Sequence, residues 1–355
     1  MRHWPVLVPV VALALLGAAL KLPLGAALTI ACAAALMAVV VAAVHHAEVV
    51  AHRVGEPFGT LVLALAITVI EVALIVSMML AGGAEKAALA RDSVYATVMI
   101  ICTGVIGGCL LAGALRHREQ SFRTEGAGPA LAALVTMAAM VLVLPIFTTS
   151  APVAHYSTSQ LVFTAVASLT LWAVFVFVQT VRHRDYFLPL VGADDADAHA
   201  APPSVAAAWS SFGLLLLSLV TVVGLAKMLS PQIEAAVAAA GAPQSVIGIA
   251  IAMLVLLPET TAALRAAMAN RLQTSMNLAL GSALASIGLT IPVVVLAAVL
   301  FDLPLVLGLD PKDLVLLGLA CLVSTITLGT GRTNLMQGAV HLVIFAAFLF
   351  LSLVP

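Results

Sequence analysis

Long apolar segments dominate the chain, and most are long enough to cross a lipid bilayer as a helix. A helical span needs about 20 residues. Only 9% of the 355 residues are charged and 63% are hydrophobic, whereas a soluble domain carries roughly 25% charged residues. We count eleven such segments, at about 5–20, 24–44, 58–81, 92–115, 127–147, 158–181, 205–227, 244–267, 273–300, 304–328 and 333–354. The pattern predicts an all-α integral membrane protein with about eleven transmembrane helices, and it excludes a soluble enzyme or a nucleic-acid-binding protein.

The longest polar break, residues 182–203, lies near the middle of the chain and contains four aspartates. It predicts four regions: an N-terminal transmembrane helix at 1–22, a first five-helix repeat at 23–181, an acidic cytoplasmic linker at 182–203 and a second five-helix repeat at 204–355. Because each half has an odd number of spans, the second half enters the membrane in the opposite sense, as in inverted-topology repeats. The linker is either a solvated connection or a cation-sensing strip.

Basic residues are distributed unevenly between the two sides of the predicted membrane. With eleven spans, ten arginines fall on the side of the N-terminus and five lysines or arginines on the other. Cytoplasmic loops carry the excess of positive charge. The chain is therefore predicted to be a multi-pass protein of the bacterial inner (plasma) membrane, with a cytoplasmic N-terminus and an outside (periplasmic) C-terminus.

Two acidic residues lie deep inside apolar segments, while the other fourteen occupy loops or span ends. They are Glu71, within LALAITVIEVALIVSMML, and Glu259, within IAMLVLLPETTAAL. A charge at the bilayer centre costs at least about 2.5–3.5 kcal/mol on insertion scales. Neither glutamate has a lysine or arginine three or four positions away, where a helical ion pair would form. An ion or proton site is therefore favoured over a purely structural hydrogen bond.

The two glutamates occupy matching positions in their spans. Glu71 follows Pro57 by 14 residues and Glu259 follows Ser245 by 14 residues, each counted from the start of its span. Because the two spans are predicted to run in opposite directions, we expect both carboxylates near the midplane. Carboxylate oxygens suit hard cations such as Ca²⁺, and burial favours the protonated form of a carboxylate. Such a site can exchange a cation for protons, which is the minimal chemistry of an antiporter.

Other polar residues of these spans are candidate supporting ligands. They are Thr68, one turn from Glu71, and Thr103, Asn277, Ser282 and Ser286 in the fourth and ninth spans. Close helix packing is the alternative interpretation of these small polar residues. Pro258 predicts a helix break next to Glu259, because proline lacks a backbone donor and frees a carbonyl near Leu254; a plain packing kink is the alternative.

Two stretches resemble a known family: GEPFGTLVLALAITVIEVALIVSMML at 55–80 and LLPETTAALRAAMANRLQTSMNLALGSALASIGLTIP at 256–292. They are similar to the two α-repeats of the calcium/cation antiporter superfamily, and in particular to the bacterial ChaA-type calcium (sodium/potassium)–proton antiporters. The resemblance implies one helix outside a 5+5 inverted repeat. It also implies that Glu71 and Glu259 are the cation and proton ligands. The family often has asparagine before the glycine of the fourth span, where this chain has Thr103.

Together these observations predict a secondary active antiporter without a cofactor, and not an enzyme. We expect it to export Ca²⁺ in exchange for protons through Glu71 and Glu259, which would serve as the metal ligands of the transported ion. A Na⁺/K⁺-selective proton antiporter is the runner-up, and a passive cation channel is a further alternative. The expected partners are inorganic cations, protons and the lipid bilayer, with no nucleic acid, and a homo-oligomer is compatible with the sequence.

Overall fold

The computed structural model of the chain describes residues 4–354 except 24, 56–57, 189–202, 240, 242 and 244. Over these residues the chain forms eleven long helices and one short strand pair. In chain order the helices are α1 (Trp4–Ala19), α2 (Ala26–Val54), α3 (Phe58–Gly82), α4 (Leu89–His117), α5 (Thr124–Ile146), α6 (Thr158–Arg182), α7 (Val205–Ala239), α8 (Ser245–Met268), α9 (Leu272–Phe301), α10 (Pro311–Gly329) and α11 (Leu335–Leu353). The strands are β1 (Gln120–Ser121) and β2 (Arg332–Thr333).

Ten of the eleven helices in the described residues are long and apolar enough to cross a membrane. The exception is α1, which has 16 residues. At 1.5 Å per residue it is about 24 Å long, which is shorter than the hydrocarbon core of about 30 Å. The prediction of an all-α membrane protein is confirmed, and α1 matches the length of the predicted segment 5–20, which is itself shorter than a full span.

Three helix boundaries differ from the sequence prediction. The second helix continues to Val54, ten residues past the predicted end near 44, and so includes Glu48, which the prediction places in a loop or at a span end. The seventh helix continues to Ala239, well past its predicted end at Lys227. Neither Lys227 nor Pro231 interrupts the helix. The tenth begins at Pro311 rather than near residue 304. Residues 303–310 are extended instead, and alternate leucines of this segment are buried: Leu305, Leu307 and Leu309.

Packing divides the chain into two units. The first unit takes in 1–86 and 197–244 and so contains α1, α2, α3 and α7. The second takes in 87–196 and 245–355 and contains α4–α6 and α8–α11. This is a division by packing that mixes helices of both sequence halves, so the predicted domain boundaries stay a prediction. Most of the predicted acidic linker, residues 189–202, lies outside the described residues.

In the first unit, α2 packs against α1, α3 and α7. His46 on α2 contacts the carbonyl of Pro5 at 2.9 Å, and Arg53 at the end of α2 donates to the carbonyl of Pro203 just before α7. The end of α2 and the start of α7 therefore lie at the same end of this unit. This agrees with the predicted threading, in which both are on the side of the N-terminus.

In the second unit, α6 packs on α9 and α11 packs on α4. When the helices of each half are numbered from its start, α2–α6 and α7–α11, the fifth helix of each half packs on the third helix of the other half. That reciprocal pairing is what an inverted five-helix repeat generates.

Helix starts are fixed by local capping. Asn334 caps α11 by accepting from the amides of Met336 and Gln337, and Asp310 precedes a proline at the first position of α10.

The helix ends of the second unit form two groups. At one end, β1 pairs with β2, and the amide of Gln120 donates to the carbonyl of Ala267 at 2.8 Å. At the other end, the extended segment 303–310 bonds to the carbonyls of Ala87, Leu142 and Ala154. Each group contains the helix ends that the predicted threading assigns to one side of the membrane.

Candidate cation and proton site

Glu71 lies on the buried face of α3. Its side chain is 3% exposed, and the residues three and four positions away, Ile67, Thr68, Leu74 and Ile75, are also buried. The opposite face of α3 carries large apolar side chains that are exposed on the protein surface: Leu65, Val69 and Leu80. The helix therefore directs its one carboxylate into the protein and its apolar face towards lipid.

Thr68 lies on the same face of α3 as Glu71, one turn earlier, and is 5% exposed. This helix belongs to the first unit, where it packs against α2 and α7. Glu259 belongs to the second unit. The expectation that the two carboxylates meet near the midplane therefore stays a prediction.

Glu259 is half-buried on α8, between Pro258 and Thr260. This helix runs without interruption from Ser245 to Met268, so the predicted helix break at Pro258 is not seen. Flanking threonines bond within the helix: Thr260 Oγ1 donates to the carbonyl of Leu256 at 2.7 Å, and Thr261 Oγ1 donates to that of Pro258 at 2.8 Å. A continuous helix absorbs Pro258 because only one backbone donor is lost and packing on α4 and α9 holds the rest.

The α4 helix runs parallel to α8, which fixes the depth of Glu259 in the second unit. Near the start of both helices, a methyl group added at Gly248 would lie 3.0 Å from the amide nitrogen of Ser93. Near their ends, His117 Nε2 is 2.9 Å from the carbonyl of Met268. Interpolating between these contacts places Glu259 at the depth of residues 104–108 of α4.

A π-helical stretch, Ile100–Val105, interrupts α4 just before that depth. Thr103, one of the predicted supporting residues, lies in this stretch, is fully buried and donates its hydroxyl to the carbonyl of Met99. Its one hydroxyl proton is thus used within the helix, although the oxygen can still accept. Such π-stretches are frequent at functional sites.

The α9 helix carries the remaining predicted supporting residues. Asn277 Nδ2 donates to the carbonyl of Phe187 at 2.6 Å, and its Oδ1 accepts from Gln273 at 2.9 Å. The first of these bonds connects α9 to the segment that follows α6, which is a structural role that the sequence did not indicate. Ser286 is buried and Ser282 is half-buried on the same helix.

His341 is not among the site residues predicted from the sequence. This residue of α11 is fully buried; its Nδ1 is 2.6 Å from the carbonyl of Cys102 and its Nε2 is 3.1 Å from Thr327 Oγ1. The available signal was a histidine in the middle of an apolar span, a position where ionisable residues are rare and commonly functional.

Basic residues gather at one end of the second unit. Eight arginines of its described residues lie at the end that contains β1 and β2: Arg116, Arg118, Arg123, Arg182, Arg184, Arg265, Arg271 and Arg332. The opposite end carries Arg91, which donates to the carbonyl of Gly308 at 3.1 Å, and Lys312, which donates to that of Leu351 at 2.8 Å. The uneven distribution of basic residues, from which the orientation is predicted, is therefore seen as a difference between the two ends of the second unit.

Comparisons with known proteins identify relatives along nearly the whole chain. The family described as "Sodium/calcium exchanger protein" matches residues 24–181 and 210–354. A "Putative ionic transporter y4hA" of Sinorhizobium fredii is 51% identical over 318 residues, covering 88% of this chain and 85% of the relative. The "Sodium-potassium/proton antiporter ChaA" of Escherichia coli is 35% identical over 347 residues, covering 96% and 93%.

Solved structures share the fold at low sequence identity. Native YfkE superposes with a TM-score of 0.69 at 17% identity, covering 92% of both chains. The H⁺/Ca²⁺ exchanger CAX gives a TM-score of 0.68 at 13% identity, covering 89% of this chain and 80% of the other. The resemblance noted in the sequence is thereby confirmed, and the chain belongs to the sodium/calcium exchanger protein family.

Proposed function

We propose that the protein is a secondary active cation/proton antiporter of the bacterial inner membrane, which exports Ca²⁺ in exchange for H⁺ through Glu71 and Glu259. The observation that carries this proposal is the burial of Glu71 on the interior face of an otherwise apolar helix. A carboxylate retained at such a position is a functional site by default, because its insertion is costly. Glu259 supplies one further carboxylate in the corresponding helix of the second half.

The relatives support antiport as the reaction class. The Escherichia coli relative is named as a sodium-potassium/proton antiporter, and a relative from Aphanothece halophytica, 26% identical, is named as a Ca²⁺/H⁺ antiporter. Both names describe the exchange of a metal cation for a proton. The family match over both halves of the chain agrees with a transporter of this class.

The chemistry follows from what a buried carboxylate can bind. In a poorly solvated environment a carboxylate is stable when it holds a proton or a cation. Occupancy by one excludes the other, so a site that is exposed to one side of the membrane at a time exchanges them. Two carboxylates match the charge of Ca²⁺. A single bound Na⁺ or K⁺ would leave one proton on the pair.

The experiment uses inverted membrane vesicles from cells that express the protein and lack their own cation/proton antiporters. Respiration acidifies the lumen, and a pH-sensitive dye follows the loss of acidity when CaCl₂, NaCl or KCl is added separately. We expect Ca²⁺ to collapse the gradient at the lowest concentration. Vesicles with the protein that keep their gradient with all three cations would overturn the proposal.

Glutamine substitutions test the two glutamates. We expect Glu71→Gln and Glu259→Gln each to abolish the cation-dependent loss of acidity, because the amide cannot release a proton. Glu125→Gln, at the exposed first turn of α5, is the matched control and should exchange normally. Normal exchange by both site variants would show that the carboxylates are not the site.

Selectivity for Na⁺ or K⁺ is the second candidate, and the 35% identity to the sodium-potassium/proton antiporter of Escherichia coli favours it. The same vesicles distinguish it, because Na⁺ or K⁺ would then act at a lower concentration than Ca²⁺. A passive channel would instead admit ⁴⁵Ca²⁺ or ²²Na⁺ at the same rate with and without a proton gradient.

A further inference from the structure

His341 completes a hydrogen-bonded chain between three helices of the second unit. Its Nδ1 contacts the carbonyl of Cys102 on α4, and its Nε2 contacts the hydroxyl of Thr327 at the end of α10. The imidazole is fully buried. A carbonyl oxygen can only accept, so the proton of the neutral ring lies on Nδ1, and Nε2 accepts from Thr327.

The carbonyl that His341 contacts is one that the π-stretch deprives of its usual donor. In an α-helix the carbonyl of Cys102 would accept from the amide of Ile106, four residues later. Here that amide is directed at the carbonyls of Ile101 and Thr103 instead. The imidazole of His341 therefore takes the place of the displaced helical donor at Cys102.

Close packing of α11 on α4 holds the ring in this position. A methyl group added at Gly107 would lie 2.8 Å from Cβ of His341, and one added at Gly338 would lie 2.6 Å from the amide nitrogen of Leu111. The two helices can approach each other this closely only because Gly107 and Gly338 have no side chains. The two backbones approach where His341 reaches the π-stretch, so the ring has little freedom to turn away.

The stretch that His341 supports lies at the depth of Glu259, on the helix that packs against α8. It ends at Val105, and the parallel packing of α4 on α8 places Glu259 at the depth of residues 104–108. A shift of one residue in the register of the hydrogen bonds of α4 changes which backbone atoms and which hydroxyl lie at that depth. The donor that keeps the π-stretch in place thus controls the surroundings of Glu259.

We propose that His341 is a positioning residue for cation binding, which acts by donating from Nδ1 to the Cys102 carbonyl and so maintains the π-stretch of α4 at the depth of Glu259. This inference rests on the proposed antiport function. The ring itself carries no transported proton. A side chain that donates to Cys102 and accepts from Thr327 can replace it.

Kinetics of two substitutions test the proposal in the vesicle assay. His341→Leu removes the donor, and we expect the apparent KM for the cation to rise about tenfold, a change of about 1.4 kcal/mol, while the maximal rate falls less than threefold. His341→Gln keeps one donor and one acceptor and should remain within threefold of the wild type in both parameters. His46→Leu is the matched control, because His46 is also buried and contacts a backbone carbonyl, that of Pro5 in the first unit. We expect it to leave the KM unchanged.

The outcomes separate the two proposals. A wild-type protein that does not exchange overturns the antiport function. Given exchange by the wild type, an unchanged KM in His341→Leu overturns the positioning role. Equal loss of exchange in the Leu and Gln variants also overturns it, because the imidazole would then be needed for itself.

A spectroscopic measurement keeps the proposal falsifiable if His341→Leu does not accumulate in the membrane. With ¹⁵N-labelled histidine, the signal that disappears in His341→Gln belongs to His341. We expect that signal to show the Nδ1–H tautomer with a hydrogen-bonded proton. The Nε2–H tautomer would overturn the proposal, whatever the transport result.

Discussion

Substitution of Gly338 by alanine tests whether the approach of α11 to α4 is as close as the structure shows. Gly338 lies one turn before His341 on α11, against the backbone of α4. An added methyl group would lie 2.6 Å from the amide nitrogen of Leu111, 2.9 Å from its Cα and 3.1 Å from the carbonyl oxygen of Gly107. All three neighbours are backbone atoms, so no side chain can rotate away to make room.

The size of the effect follows from these distances. Ordinary contacts of a Cβ atom begin near 3.4 Å, so the helices must separate by about 0.8 Å at this point. Strain of this kind costs about 1–3 kcal/mol, which exceeds the roughly 0.5–1 kcal/mol that alanine gains over glycine in a helix. The same separation would lengthen the 2.6 Å contact between His341 and Cys102 to about 3.4 Å, the length of a weak hydrogen bond.

Thermal stability of the detergent-solubilised protein measures this cost. Samples are heated, and the fraction that remains monodisperse on size-exclusion chromatography gives a midpoint temperature. Gly318→Ala is the matched control, since Gly318 lies on an exposed face of α10 with open space around it. At about 2 °C per kcal/mol, we expect the midpoint of Gly338→Ala to be about 2–6 °C below that of the control. Equal midpoints would refute the close packing of α11 on α4 and weaken the argument for His341.

Three further predictions address orientation, the α9 network and alkaline stability. In a variant without native cysteines, Glu125→Cys should react with a membrane-impermeant maleimide in inverted vesicles and Asp302→Cys only in right-side-out cells; the reverse pattern would invert the predicted orientation. Asn277→Leu should lower the free energy of unfolding by about 1–3 kcal/mol and leave the apparent KM for the cation unchanged, whereas an increased KM would support the ligand role that the sequence predicts. Burial raises the pKa of the Tyr156 hydroxyl above its ordinary value of 10.0. The stability that the protonated tyrosine contributes is therefore complete below pH 10 and is lost as the pH rises through the raised pKa. The difference in 295-nm absorbance between wild type and Tyr156→Phe during an alkaline titration should show this late ionisation.

The sequence predicts the helices well because bilayer thickness sets the length of an apolar segment. The predicted starts of the third span, at residue 58, and of the sixth span, at residue 158, agree with the starts of α3 and α6. Prediction fails at 303–310, where the same apolar composition forms an extended segment. Pro304 and Pro311 bracket alternating leucines there, and that period of two, rather than hydrophobicity alone, was the available signal.

The π-stretch of α4 could not be predicted from its residues. The sequence IICTGV reads as an ordinary apolar helical segment, and the change in register is stabilised by His341, more than 200 residues later. Asn277 shows the converse limit. Its polarity in an apolar span predicts a supporting cation ligand, and that role stays a prediction. Its amide nitrogen donates to the carbonyl of Phe187, a contact that only the tertiary structure reveals, and its amide oxygen accepts from Gln273 on the same helix.

Buried hydroxyls and buried carboxylates differ in a way that explains why the two glutamates were the clearest signal. A serine or threonine in a helix can donate to the carbonyl four residues earlier, as Thr103, Thr221 and Thr260 do. Such residues satisfy themselves at any depth, so their presence in a span says little about function. An ionised glutamate only accepts, and the amides of its own helix are already used. It must bind a proton, a cation or a donor from another helix, and the first two of these are what an antiporter exchanges.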